Sequence, residues 1–189
     1  MIKIIHRVNK IENLKRVSYD YGVEIDIRSN NGSLVLTHDI SNSADLFEDF
    51  LESYNHQLLV ANIKEAGIEK EVIKKLIDKG ISKFFLLDTE FPFIINNYQK
   101  YGNVLSLRYS KLESIKTIEN FVGKVKWVWV DTYEDFEINQ ETTNVLKNFS
   151  ICLVSPSRWG NKEGLNYFIE KFSKYNLEIS GVMIEKGEL

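Results

Sequence analysis

Between residues 6 and 39 the chain carries two histidines, an arginine and two carboxylates in a spacing that suits proton and phosphoryl transfer. His6-Arg7 closes a short apolar run at the start of the chain. Glu24 and Asp26 stand two residues apart in VEIDI, so an extended backbone puts both on one face. His38-Asp39 follows a tight turn. Imidazole titrates near neutral pH and serves as general acid or base. Two carboxylates on a buried face are costly unless they are paired or hold a cation. An arginine neutralises the charge that develops on phosphorus.

These residues need a scaffold that brings distant segments to one place. Apolar runs of strand length recur near 2–6, 23–27, 58–63, 84–87, 104–107, 126–130, 151–155 and 181–184. Helical patterns lie between them. In 69–80, Val72, Leu76 and Ile77 are expected on one face with Gly80 at the C-terminal cap, and 163–175 aligns Leu165, Phe168, Ile169 and Phe172. Strand–helix alternation implies parallel strands joined by helical crossovers. Eight runs in 189 residues fit an α/β fold of the compact (β/α)8 type, a TIM barrel smaller than the usual length of about 250. An open doubly wound sheet is the runner-up. Asn31-Gly32 predicts a two-residue type I′ turn, hence a β-hairpin after strand two with its second arm at 33–37. No helix is expected after strand eight, because only residues 185–189 remain. The apolar groove between the last and first strands would then be covered by a second copy, as a homodimer, or by a neighbouring helix.

In such a barrel, functional side chains gather at the C-terminal ends of the strands. His6-Arg7, Glu24 with Asp26, Asn62 with Lys64, Asp88, Arg108, Asp131 and Ser155 all fall there. Val23, Ile25 and Ile27 are left to face the helices. Trp127 and Trp129 are expected inside the barrel, and His56 at its opposite end. Trp159, in the loop SPSRWG with Ser157 and Arg158, is expected on the rim of the site.

Composition closes off other classes. Hydrophobic residues make up 43% and charged ones 27%, as in an ordinary globular domain, and 1–189 is read as one. Twenty-four basic and 27 acidic residues give a net charge of −3, spread along the chain, which argues against a general nucleic-acid binder. No segment approaches the roughly 18 apolar residues of a membrane span, and the N-terminal run is too short for a signal peptide, so a cytoplasmic location is expected. Cys152 is the only cysteine and sits in an apolar run.

The segments His6-Arg7-Val8, Glu12-Asn13, Glu24-Ile25-Asp26, His38-Asp39 and Asn62-Ile63-Lys64 occur in an order that resembles the glycerophosphodiester phosphodiesterase family. That family belongs to a wider barrel group with the phosphatidylinositol-specific phospholipases C. The resemblance is dense over 4–64 and architectural beyond. It implies a TIM barrel that cleaves a small phosphodiester, with His6 and His38 as general acid and base in unassigned order. Arg7 and Lys64 would stabilise charge on phosphorus. Glu24, Asp26 and Asn62 would hold a divalent metal, Mg²⁺ or Ca²⁺, and Arg108 and Trp159 would contact substrate. Arg108 could equally form an ion pair with Asp88 or Asp131. Asp39 is an orienting partner for a histidine or a helix-capping acid.

Two positions depart from the pattern. Val8 stands where the family has glycine, which would crowd the backbone near phosphate. Asn62 stands where the family has a third carboxylate, so metal binding should be weak unless Asp88, Asp131 or Glu65 compensates. Two alternatives follow. One is a barrel without turnover that binds a phosphorylated ligand or protein partner; the other is a metal-free lyase that forms a cyclic phosphate.

Overall fold

The computed structural model describes residues 1–40, 43–160 and 163–185. Strands β1 (Ile2–Ile5), β2 (Gly22–Asn30), β3 (Ser33–Leu36), β4 (Asp45–Leu46), β5 (Leu59–Ile63), β6 (Phe84–Leu87), β7 (Ser106–Tyr109), β8 (Trp127–Val130), β9 (Ser150–Val154) and β10 (Ile179–Ile184) form one mixed sheet. Helices α1 (Ile11–Leu14), α2 (Phe47–Ser53), α3 (Glu69–Asp78), α4 (Phe91–Tyr101), α5 (Ile115–Glu119), α6 (Gln140–Leu146) and α7 (Leu165–Ser173) lie between them. Eight strands are parallel and curl in the order β6-β5-β2-β1-β10-β9-β8-β7.

The two ends of this curl meet without sharing a ladder. They touch through one parallel bridge, Leu86 to Leu105, and through Ser106 Oγ, which donates to the Leu86 carbonyl at 2.7 Å. The observed sheet is therefore a curl with a thin seam, where the sequence suggested a fully laddered barrel. The seam strand also begins later than its apolar run, at Ser106 instead of 104, because Gly102–Val104 forms a 3₁₀ turn.

Alternation along the strands divides the core in two. Val23, Ile25 and Ile27 face the helices with Val72, Phe168 and Phe172. Ile4, Val60, Phe85, Trp127, Trp129 and Met183 fill the inside of the curl. Phe85 stacks on Trp127 with centroids 4.5 Å apart, a pairing that adds about 1 kcal/mol beyond area burial. The interior is narrow. A Cβ on Gly22 would sit 2.8 Å from the Leu58 carbonyl, so only glycine lets β2 approach there.

The hairpin forms as Asn31-Gly32 predicts: both residues take positive φ, 50° and 80°, and β3 pairs antiparallel with the last four residues of β2. Helix α3 ends at Gly80, whose φ is +78°. Its buried face uses Val72, Ile73 and Leu76, while Ile77 is 58% exposed, because the true face is centred one residue earlier. The expectation of no helix after the last strand concerns 186–189, outside the described residues. The outward side chains of β1 and β10, Ile5, Val182 and Ile184, are already buried within the single chain.

Candidate active site

Strand period two sends Glu24 and Asp26 into the mouth of the curl, where they are 1% and 0% exposed. Glu24 Oε2 accepts the backbone N–H of Arg7 at 2.8 Å, and Oε1 accepts Asn62 Nδ2 at 2.8 Å. Burial, followed by the neighbouring Asp26, pushes the Glu24 carboxyl up to about 7 despite these bonds. Asp26 is clamped by a residue the sequence did not single out. Asn9 donates Nδ2 to Asp26 Oδ2 and accepts the Asp26 N–H on Oδ1, both at 2.8 Å.

Two cations flank Asp26. Lys64 Nζ lies 3.3 Å from Oδ1, and Arg7 Nε 3.8 Å from Oδ2. Arg7 adopts φ 51°, which turns its N–H onto Glu24. The left-handed position is thus Arg7 and not Val8. Valine, fully buried with its N–H on the Glu24 carbonyl, needs no unusual torsion.

The charged chain continues round the mouth. Lys64 reaches Asp88 at 3.5 Å, Arg108 Nε binds Asp88 at 2.6 Å, and Arg108 Nη1 pairs with Asp131. Trp129 Nε1 donates to Asp131 at 3.2 Å. Burial pushes the Asp88 carboxyl up, but Arg108 and Lys64 outweigh it and hold the group below its ordinary value. At Asp131 burial wins over Arg108, and the carboxyl is raised. Arg108 therefore has the ion-pair role and also faces the site.

His6 is nearly buried. Its Nδ1 lies 3.1 Å from Glu185 Oε1, while Nε2 lies 3.9 Å from Glu24 Oε2. A carboxylate oxygen only accepts, so the bond assigns the proton to Nδ1 and leaves the Nε2 lone pair towards the mouth. Burial, then Arg158, lowers the His6 pKa; Glu185 opposes them. His38 is 38% exposed, with Nδ1 3.0 Å from Asp39 Oδ1. Among the described residues Asp39 caps no helix, since α2 begins at Phe47. The hairpin is held by Arg28 Nε donating to the His38 carbonyl at 2.9 Å. Trp159 ends a 3₁₀ turn, edge-on to Tyr133.

His6, Arg7, Glu24, Asp26, His38, Asn62, Lys64, Arg108 and Trp159, the nine residues singled out from the sequence, all line one cavity of about 190 Å³. Arg158, Asp88, Asp131 and Trp129 complete its wall with Leu87, Val154 and Met183, whereas Ser155, expected at the mouth, does not line it. Glu12 is exposed on α1, and His56 lies elsewhere, bonded to the Val17 carbonyl. Glu185 and Asn9 were missed, because each acts through a partner far away in sequence.

A hard divalent cation is matched by an oxygen donor set, and two oxygens here are buried without a hydrogen bond: Asn62 Oδ1 and Asp26 Oδ1. With Glu24 they fit such an ion, short of a third carboxylate. Among the described residues no three His, Cys, Asp or Glu side chains group as a metal site. The proposed substitutes for that third charge are engaged elsewhere. Glu65 binds Ser29 on the hairpin, and Asp88 and Asp131 hold Arg108.

No protein-family model and no curated protein matches the chain. Solved structures do. A glycerophosphoryl diester phosphodiesterase from Parabacteroides distasonis ATCC 8503 is similar with TM-score 0.63 and 13% identity, over 97% of this chain and 82% of that one. A glycerophosphodiester phosphodiesterase from Agrobacterium tumefaciens str. C58 gives 0.60 and 9%, over 98% and 96%. At these identities the likeness is one of fold, and the fold this chain shares is that of glycerophosphodiester phosphodiesterases.

Proposed function

We propose that the protein hydrolyses a small phosphodiester at this mouth, on a (β/α)8 barrel whose seam lies between β6 and β7. The observation that carries the reading is the convergence of nine residues from separate segments on one cavity holding two histidines and several fixed cations. His6 is assigned as the base, since its pKa is lowered and Glu185 holds the proton on Nδ1. His38, on the open side, is assigned as the acid. Water oxygen bonds to phosphorus and the bond to the leaving alcohol's oxygen breaks. Water's proton goes to His6 Nε2, and a proton from His38 goes to the alkoxide, leaving a phosphomonoester and an alcohol. Arg7 and Lys64 stand ready for charge on the non-bridging oxygens. Glu24, Asp26 and Asn62 would hold Mg²⁺ or Ca²⁺, which when bound neutralises part of that charge.

A second reading has its own support. Lys64 and Arg7 flank Asp26 with fixed positive charge, which suits metal-independent attack by a hydroxyl of the substrate itself and a cyclic phosphate product. Phosphorus NMR on glycerophosphodiesters, with and without Mg²⁺ or Ca²⁺, separates the readings. Monoester formation that is abolished in His6→Ala and His38→Ala is expected. A cyclic product supports the second reading. Absence of turnover both with and without either metal refutes both and leaves a binding protein for phosphorylated ligands.

A further inference from the structure

Along the sequence the charges are spread, but the fold sorts them by end. The eight parallel strands run one way, so every segment that leads from a helix into such a strand lies at the end of the curl opposite the mouth. These segments, 15–21, 54–58, 79–83, 102–105, 120–126, 147–149 and 174–178, hold eight of the 24 basic residues and two of the 27 acidic ones. A chain of net charge −3 thus carries a strongly positive end. All eight basic side chains are exposed, and among the described residues only Lys79 is ion-paired, to Glu52.

Helix polarity accounts for part of this. Lys15, Lys79, Lys147 and Lys174 are the C-terminal caps of α1, α3, α6 and α7, where positive charge suits the helix dipole. Lys83 and Lys126 have no such reason. They immediately precede β6 and β8, and their carbonyls accept the N–H groups of Leu59 and Ser150, so both side chains start from the rim of the sheet. Beside Lys83 the surface is concave. A cavity of about 260 Å³ there is lined by Lys79, Lys83, Asn55, His56 and Ser82 and by no carboxylate. Such a wall of donors around a lysine without an ion pair suits a phosphate group. The spread of the charges gives the shape of the partner. The basic residues lead into β2, β6, β8, β9 and β10, so they ring the end of the curl instead of following one groove. An extended polyanion crosses such a ring along one line, whereas a flat anionic bilayer meets it whole. Tyr19 and Tyr175, 62% and 38% exposed in the same segments, are of the type that settles at a bilayer interface.

We propose that this end of the molecule docks on an anionic lipid surface, with the cavity at Lys83 taking a lipid phosphate and the mouth turned to solution. The proposal stands independently of the phosphodiester reading. Flotation of the native protein with vesicles of phosphatidylcholine, with and without phosphatidylserine, tests it. Partition onto the phosphatidylserine vesicles at low salt is expected, lost at high salt and absent with phosphatidylcholine alone. Lys83→Gln combined with Lys126→Gln is expected to weaken it about tenfold or more, at about fivefold for each lysine. Lys70→Gln combined with Lys111→Gln removes the same charge from exposed positions at the mouth end and is expected to leave it unchanged. Lack of partition at low salt, equal partition onto the neutral vesicles, or the same loss in both double variants overturns the proposal. A single-stranded RNA that strips the native protein from the vesicles, through binding lost in the Lys83 and Lys126 double variant, assigns the face to nucleic acid and overturns it as well.

Discussion

Replacing Glu24 with glutamine isolates the charge at the centre of the site. Burial and the neighbouring Asp26 raise this carboxyl from an ordinary 4.5 to about 7. The unfolded chain loses the proton near pH 4.5, and the folded chain keeps it until about pH 7. Across that window the folded state binds more protons, so stability falls as pH rises. At 1.36 kcal/mol for each pH unit, the loss attributable to Glu24 is about 3 kcal/mol by pH 8 and less than about 1 kcal/mol at pH 5. Glutamine has the shape and neutrality of the protonated acid. Like that acid, it has a donor where Arg7 N–H and Asn62 Nδ2 both point at oxygens. Urea unfolding in metal-free buffer at several pH values between 5 and 8 should therefore show two behaviours. Native protein and Glu24→Gln lie within about 1 kcal/mol of each other at pH 5, and the variant is more stable by about 3 kcal/mol at pH 8. A native–variant difference that stays flat over this range would refute the reasoning, because no proton would then be tied to folding at Glu24.

Two other substitutions probe the same mouth. Asn62→Glu supplies a third carboxylate beside Glu24, so calorimetry should show Mg²⁺ or Ca²⁺ binding about tenfold tighter, with lower stability in chelator from added like charge. Unchanged metal affinity would mean that Glu24, Asp26 and Asn62 are not ligands. Glu185→Gln removes the anion 3.1 Å from His6 Nδ1, which opposes the lowering of that pKa. The acid limb of the kcat/KM profile should move to lower pH as His6 falls further. An unmoved limb would show that His6 is not the group that sets it.

What the sequence revealed was whatever depends on short-range spacing. Two-residue alternation put Glu24 and Asp26 on one face and Ile25 on the other, and the positive φ values of Asn31 and Gly32 follow from residue type. Polar residues at the ends of apolar runs located the mouth. The supports were not legible, because they depend on which segments the fold apposes. Asn9 reads as a loop residue until β2 brings Asp26 against it, and Glu185 as part of a tail until β10 sets it beside His6. The seam was hidden for a different reason. The run 104–107 has strand composition throughout, but Gly102–Val104 turns as a 3₁₀ segment, with Gly102 close against the Lys124 carbonyl, before β7 begins to pair at Ser106. Ile77 was misplaced because a helical stripe a residue wide of its true centre matches the same periodicity.

The charges of the mouth explain why Glu24 matters more than its position alone suggests. Arg7, Lys64, Arg108 and Arg158 are set against Glu24, Asp26, Asp88 and Asp131. Arg7, Lys64 and Arg108 are already held by those carboxylates, and Arg158 lies 3.5 Å from Glu185. Preorganised cations need little rearrangement when charge develops on phosphorus. With Glu185 counted beside Arg158, however, five carboxylates face these four cations, and with all of them ionised the mouth exerts no excess positive field. Because Glu24 is raised to about 7, its protonation near neutrality removes one of those negative charges and brings cations and carboxylates level. On the proposed reading, protonating Glu24 would lessen the repulsion met by an anionic diester, while a divalent cation would have to displace that proton to bind. On that reading the free site would carry the proton on Glu24 near neutrality and the metal-loaded site would carry its charge, so metal binding and the approach of the diester would both depend on pH through this one side chain.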